Sequence, residues 1–283
     1  MTRIRVIGPG RAGRSLMAAL RAAGGYSVME SYDRAHSPAD AAAGVDVVVI
    51  ATPDAAVAEV AAQVLPNPDA VVIHLSGSLG LDALAPHARR ASLHPLVPLP
   101  NPEVGAARLR SGVTFAVAGD RVAAEMADAL GGQVVEVAEE LRASYHTAAT
   151  VAANHLVALL GQVERIAATA GLPLSAFSGL IRAAAEDGLA LGPRLALTGP
   201  ARRGDWATLD RHRLVLGSMT GGRTELAAYD AMVGLARRLS MDTPDLEAGA
   251  GPGPGAGEPD VEAGSGLALG SALGSPTAEE QVA

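Results

Sequence analysis

Three side chains able to hold or move a proton recur at every fourth residue of one apolar stretch: His146, Thr150 and Asn154. On a helix that spacing lines them along one face, and a polar stripe on an apolar helix needs partners or a wet cleft. An imidazole titrates near neutral pH, which makes His146 the first candidate proton donor. Asn154 would orient a carbonyl or an imine, and Thr150 would reach the same substrate. A satisfied network between helices is the structural alternative for each of the three. Earlier in the chain, Ser76 and Gly77 close an apolar run, and His94 opens a stretch stiffened by Pro95, Pro98, Pro100 and Pro102. Ser76 either hydrogen-bonds a ligand or caps the next turn. His94 is either a second proton donor or a structural histidine.

A second kind of chemistry is written in Gly8-Pro9-Gly10-Arg11-Ala12-Gly13, a G-x-G-x-x-G pattern directly after the apolar run Ile4-Arg5-Val6-Ile7. In a strand–turn–helix setting Gly8 permits the tight turn, Gly10 lets the backbone approach a pyrophosphate, and Gly13 lets the helix lie close to the strand. The helix N-terminus then offers unpaired N–H groups to the phosphates. These residues, with Pro9, Arg11 and Ala12, predict a dinucleotide site. The segment Glu30-Ser31-Tyr32-Asp33-Arg34 carries both an acid suited to a ribose 2′-hydroxyl and an arginine suited to a 2′-phosphate. Ser31 and Arg34 favour NADP over NAD. Thr52 and Pro53 follow a third apolar run, where Thr52 either touches the cofactor or caps the next helix.

A polar loop, Thr198-Gly199-Pro200 with Arg202, Arg203 and Asp205, leads towards His212. Arg203 there is a candidate bidentate clamp for a substrate carboxylate; the alternative is an Arg203–Asp205 pair that fixes the loop. His212 is placed with this cluster.

Composition removes several mechanisms. The chain has 283 residues, no Cys and no Lys, its 22 basic residues all being Arg. Disulfides, thiolate metal sites, a cysteine nucleophile, a lysine acid and a Schiff base are excluded, and no metal site is expected. Eight of the 30 acids lie in residues 242–283 with no basic residue, so the remainder of a chain of net charge −8 is formally neutral. A neutral body argues against nucleic acid as a partner. No apolar run reaches the roughly 18 residues of a membrane span, and no signal peptide precedes Val6-Ile7-Gly8. A soluble cytoplasmic protein with a small-molecule substrate is expected.

The elements that must carry these residues follow from periodicity. Strands are predicted over 4–7, 27–32, 45–51, 70–75, 91–94, 113–118 and 133–137, and helices over 12–23 and 54–64, with a short one opening at Ser37-Pro38. The alternation implies a parallel α/β sheet with right-handed crossovers. From Ser144 the pattern becomes helical: one long helix over 144–171, then helices over 175–191, 206–218 and 224–239. Three regions result: a Rossmann-type domain over 1–143, an all-α domain over 144–241, and an acidic Gly/Ala/Pro tail over 242–283 expected to be disordered.

The N-terminal half resembles the superfamily of 6-phosphogluconate dehydrogenase, β-hydroxyacid dehydrogenase, ketopantoate reductase and pyrroline-5-carboxylate reductase. More narrowly, four segments resemble Rossmann-like proteins with a DUF2520 domain: His74-Leu75-Ser76-Gly77, Leu93-His94-Pro95-Leu96, Tyr145-His146 leading to Asn154, and Ala196 to Pro200 continuing through Arg203-Gly204-Asp205. With the glycine motif they span roughly residues 3–240. In related dehydrogenases a Lys and an Asn four residues later polarise the substrate oxygen. Here Asn154 matches the Asn, but Thr150 stands where the Lys would be. The resemblance implies a homodimer through the helical domain and an NADP-dependent oxidoreductase acting on a small carbonyl, with 2-dehydropantoate (ketopantoate) as the leading substrate. Reduction of a C=N bond, as in imine or pyrroline-5-carboxylate reductases, and exchange between F420 and NADP are alternative enzymatic readings. A non-catalytic NADP-binding sensor or pathway partner is the alternative of another class.

Overall fold

The computed structural model describes residues Met1–Met241, so the expectation for residues 242–283 lies outside the described residues. Seven strands form one sheet in the order β2-β1-β3-β4-β5-β6-β7. They are β1 (Thr2–Ile7), β2 (Tyr26–Val28), β3 (Val47–Ile50), β4 (Val71–His74), β5 (Arg90–Pro95), β6 (Thr114–Gly119) and β7 (Gln133–Glu136). Helices α1 (Arg11–Ala23), α2 (Asp54–Gln63), α3 (Pro102–Leu109) and α4 (Val122–Ala129) are threaded between them.

The uninterrupted valine runs have a simple cause. On β3, Val47 and Val49 pack into one core with α1, while Val48 and Ile50 pack into a second core with α2. Successive strand residues point to opposite faces, so a strand covered on both sides has no position left for a polar residue. The alternation pins the register, with Ile4 to Ile7 beside Val47 to Ile50 and Val47 to Ile50 beside Val71 to His74.

The sheet departs from the fully parallel expectation at one place. β5 and β6 pair antiparallel, Pro95 opposite Phe115, and β7 follows β6 in parallel. The connection through α3 begins at Pro95 and ends beside it at the same edge, with α3 packed on α1. The chain therefore doubles back instead of crossing the sheet. β2 is also shorter than the expected 27–32; Tyr32 meets Ile7 only as an isolated bridge.

Beyond β7 the chain is helical: α5 (Arg142–Thr150), a π-helical turn (Val151–His155), α6 (Leu156–Thr169), α7 (Ser178–Leu191), α8 (Pro193–Ala196), α9 (Pro200–Arg203), α10 (Trp206–Ser218) and α11 (Gly222–Met241). The long helix expected over 144–171 is present without a gap from Arg142 to Thr169, with the π turn inside it and within the polar stripe. Two compact units divide at Arg182/Ala183, inside α7. The expected boundary at 143/144 marks the change from sheet to helix, but compactness breaks later because Arg142 and Tyr145 on α5 bond directly to β5 residues. In the second unit, Leu209, Leu216 and Val233 are buried among α10 and α11, and Arg213 pairs with both Asp210 and Asp230 at 2.8 Å.

Candidate active site at the carboxyl edge of the sheet

β1, β3, β4 and β5 are mutually parallel neighbours, so the segments that follow them emerge along one edge. After β1 comes the glycine turn. Gly8 has φ +91°, a conformation that favours glycine, and a Cβ there would lie 2.9 Å from the Ala51 carbonyl oxygen. A Cβ on Gly13 would lie 2.4 Å from the Gly8 oxygen, whereas one on Gly10 would meet no heavy atom within 4 Å. Two glycines are therefore required by the protein itself. The third leaves open space above an α1 N-terminus with no side-chain cap and no acid in its first turn. Pro9 and Ala12 are half-buried around it, and Arg11 is exposed.

The neighbouring residues fit a dinucleotide. Thr52 does not cap α2; Pro53 takes that position, without a side-chain bond. Thr52 Oγ1 is instead buried with no partner, an acceptor and donor left over at the edge where phosphates or ribose would lie. After β2, Asp33 turns into its own loop. Its carboxylate accepts from the Ala35 amide at 2.9 Å and pairs with His36 at 2.8 Å, and these bonds hold its pKa below the ordinary range. Arg34 is exposed and makes no ion pair with a described residue, and Ser31 is half-buried beside it. The acid nearest to Arg34 is engaged and the arginine is open, the pattern that suits a 2′-phosphate.

The turn after β3 is tied to the one after β4. Asp54 accepts from Ser76 Oγ at 2.7 Å and from Ser78 Oγ at 2.8 Å. Ser76 Oγ in turn accepts from the Ser78 and Leu79 amides, both at 3.1 Å. Ser76 is thus a turn-fixing residue whose hydroxyl is fully engaged. It shapes the loop that presents Gly77.

Gly77 is walled by two imidazoles. A Cβ there would lie 2.8 Å from His94 Cε1 and 2.9 Å from His146 Cδ2. The two rings are 6.2 Å apart, and Tyr145 Oη lies 2.6 Å from His94 Nδ1. Arg142 is 2% exposed. Its guanidinium donates to the Ser76 carbonyl at 3.4 Å and, through Nη2, to Ser92 Oγ. No carboxylate lies within ion-pair distance of it among the described residues. Burial pushes the His94 imidazole down to about 4, with His146 and Arg142 acting in the same direction, so His94 is neutral at pH 7. His74, wholly buried at the end of β4, is pushed to about 4 by the same causes, burial and Arg142. Its Nε2 lies 3.3 Å from the Gly80 carbonyl, and its Nδ1 has no partner.

The structure therefore gathers His94, His146 and Ser76, and adds Tyr145 and Arg142, to which sequence reasoning gave no role. Tyr145 stood in the motif beside His146, but nothing in a sequence signals which of two adjacent polar residues meets the sheet. Arg142 carries no signal in the sequence that would single it out. Thr150 is half-buried on the same helix. Asn154 is exposed, lies within the π turn and bonds no described residue. The second-unit residues are differently engaged. Asp205 caps α10 by accepting from the Thr208 amide at 3.1 Å, which lowers its pKa. Arg203 is exposed and does not pair with it; Arg202 braces the loop instead, donating to the Arg194 carbonyl at 3.2 Å. His212 bonds Tyr229 at 2.7 Å rather than Arg203 or Asp205.

Residues 112–235 match the family model described as a domain of unknown function, DUF2520. The chain carries a DUF2520 domain. The match starts just before β6, so the DUF2520 region takes in the last two strands, the α5 residues of the site and most of the helical region. Among solved structures, the "putative NADP oxidoreductase BF3122" of Bacteroides fragilis is similar at a TM-score of 0.70 and 18% identity, over 84% of this chain and 98% of that one. Protein TM1727 of Thermotoga maritima has a TM-score of 0.64 and 24% identity over the same shares, 84% and 98%. Plasmodium falciparum pyrroline carboxylate reductase, solved with NADP bound, has a TM-score of 0.54 and 11% identity, again over 84% and 98%. At these identities the likeness is one of fold, a Rossmann-type sheet followed by helices. A comparison with curated proteins finds no match.

Proposed function

We propose that this DUF2520 protein is an NADP(H)-dependent reductase of a small C=O or C=N substrate. One observation carries the reading: a glycine cradle with an orphaned hydroxyl and a cluster of proton-bearing side chains lie on one sheet edge, joined by Asp54. Gly8, Gly10 and Gly13 would seat the pyrophosphate against the α1 N-terminus, Thr52 Oγ1 would take a polar group of the cofactor, and Arg34 with Ser31 would meet the 2′-phosphate. A nicotinamide bound there supplies the hydride. Tyr145, His94 and His146 would supply the proton there, and the Ser76–Asp54 network keeps the Gly77 loop in place beside them.

Gly10→Ala tests the cofactor site without disturbing the fold, because its Cβ has free space. The variant is expected to keep the wild-type Tm and to bind NADPH at least about tenfold more weakly. Equal affinity in the two proteins, or no NADPH binding by the wild type, would sink the assignment.

Ketopantoate is the carbonyl substrate to test first. Reduction of a C=N bond is the second reading, favoured by the fold shared with the pyrroline carboxylate reductase and by a chain without lysine. NADPH oxidation with ketopantoate and with 1-pyrroline separates the two. A homodimer is part of the proposal, since Leu156, Val157, Leu180, Leu189 and Leu214 stand 46–89% exposed on helices. Among the described residues no single helix is long and apolar enough to cross a membrane. A second copy is the partner that would cover such faces, and light scattering at the monomer mass would refute it.

A further inference from the structure

We propose that Tyr145 is the proton donor of this site, resupplied by His94 and steadied by the buried charge of Arg142; this rests on the reductase reading above. Three features single out Tyr145. Its hydroxyl is 2.6 Å from His94 Nδ1, in an edge-on ring contact at 89°. The residue is half-buried. Arg142, one helical turn earlier, supplies a buried positive charge whose hydrogen-bond partners are a hydroxyl and a carbonyl, with Glu139 acting on it only through space. His146, by contrast, turns carbon Cδ2 towards Gly77 and makes no hydrogen bond to a described residue.

The proton balance closes with these side chains. In the tautomer with hydrogen on Nδ1, the neutral His94 donates to the phenol oxygen, which leaves the phenol's own hydrogen free for the substrate. A nicotinamide bound at the glycine cradle would supply the hydride, and Tyr145 would give its proton to the oxygen or nitrogen that takes up the bond electrons. The tyrosinate left behind is favoured by the positive charge of Arg142, against the burial that raises the Tyr145 pKa. His94 passes its Nδ1 proton to that oxygen while Nε2 takes one from solvent, and both groups finish neutral. No lysine is needed, which suits a chain that has none. Arg142 acts here as a positioning residue, since its contacts are with Ser76, Ser92 and the field at Tyr145.

The test measures NADPH affinity by fluorescence and NADPH oxidation with ketopantoate and 1-pyrroline in the full chain. Tyr145→Phe is expected to bind NADPH within about twofold of wild type and to lose turnover on the order of 100-fold or more. His94→Gln is expected to lose roughly tenfold in turnover at unchanged KM and to recover part of it with added imidazole. An active wild type with an equally active Tyr145→Phe overturns the donor role alone. A wild type that binds NADPH but reduces neither probe overturns the reductase reading, and the donor role with it. If Tyr145→Phe loses NADPH binding through misfolding, the His94→Gln response decides: rescue by imidazole supports the relay, and wild-type turnover refutes it.

Discussion

Each of the two compact units contains a histidine–tyrosine pair of nearly the same geometry. His94 and Tyr145 are joined at 2.6 Å with rings at 89°; His212 and Tyr229 are joined at 2.7 Å with rings at 82°. Their surroundings differ. The first pair links β5 to α5 at the carboxyl edge of the sheet, beside Gly77, His146 and a buried arginine that forms no ion pair with a described residue. The second links α10 to α11 on an exposed face, beside Arg213 with its two carboxylate partners. Pair geometry alone therefore distinguishes nothing. Burial, convergence of other polar groups and an unspent charge separate a site from a surface clasp.

The sharpest way to break this contrast is to delete the same hydroxyl in both units. Tyr145→Phe is expected to lose on the order of 100-fold in turnover, while Tyr229→Phe stays within twofold; comparable losses would erase the distinction. Gly77→Ala probes how closely the first pair is held. Its Cβ would press on both imidazoles at 2.8–2.9 Å, and a displacement of tenths of an ångström is expected to cost roughly tenfold in turnover, with NADPH affinity unchanged. Full activity in this variant would show that the rings need no fixed spacing.

Acid sharpens the contrast further. His74 and His94 have folded-state pKa values of about 4, below an unfolded value of 6.5. The unfolded chain therefore binds more protons between those limits. The stability these neutral histidines contribute is present above pH 6.5 and is lost as pH falls towards 4. Between pH 7 and 5 the loss is expected to reach about 2 kcal/mol for the fully buried His74, and less for His94. Urea midpoints at the two pH values measure it, and a His74→Gln variant with unchanged acid sensitivity would contradict the assignment. The smallest effect belongs to the second unit, where Tyr229→Phe is expected to cost no more than about 1 kcal/mol for one exposed hydrogen bond.

Much of the fold is legible in local patterns because those patterns are local in cause. Valine runs report a strand buried on both faces, and Ser37 before Pro38 reports a cap, which the Ser37 hydroxyl provides to the Ala39 amide at 3.4 Å. The reversal at β6 has no such cause; it depends on α3 finding α1, a contact between distant segments. The same holds at the site. Gly8 and Gly13 were readable from spacing, whereas the engagement of Asp33, the freedom of Arg34 and the orphaned Thr52 hydroxyl are facts about neighbours. The π turn that falls within the stripe of His146, Thr150 and Asn154 is announced by no residue type.

By itself, the order of residues determined the glycine turn, the strands that end at one edge and the chemistry that a chain without lysine or cysteine must forgo. These follow from steric limits and composition, which act residue by residue. Only the tertiary structure decided that Tyr145 joins His94, that Ser76 serves the loop, and that Arg142 is buried beside Ser76 and Ser92 with no ion pair among the described residues. Those outcomes depend on which side chains are drawn out of water together, and desolvation is a property of the assembled neighbourhood rather than of any segment in it.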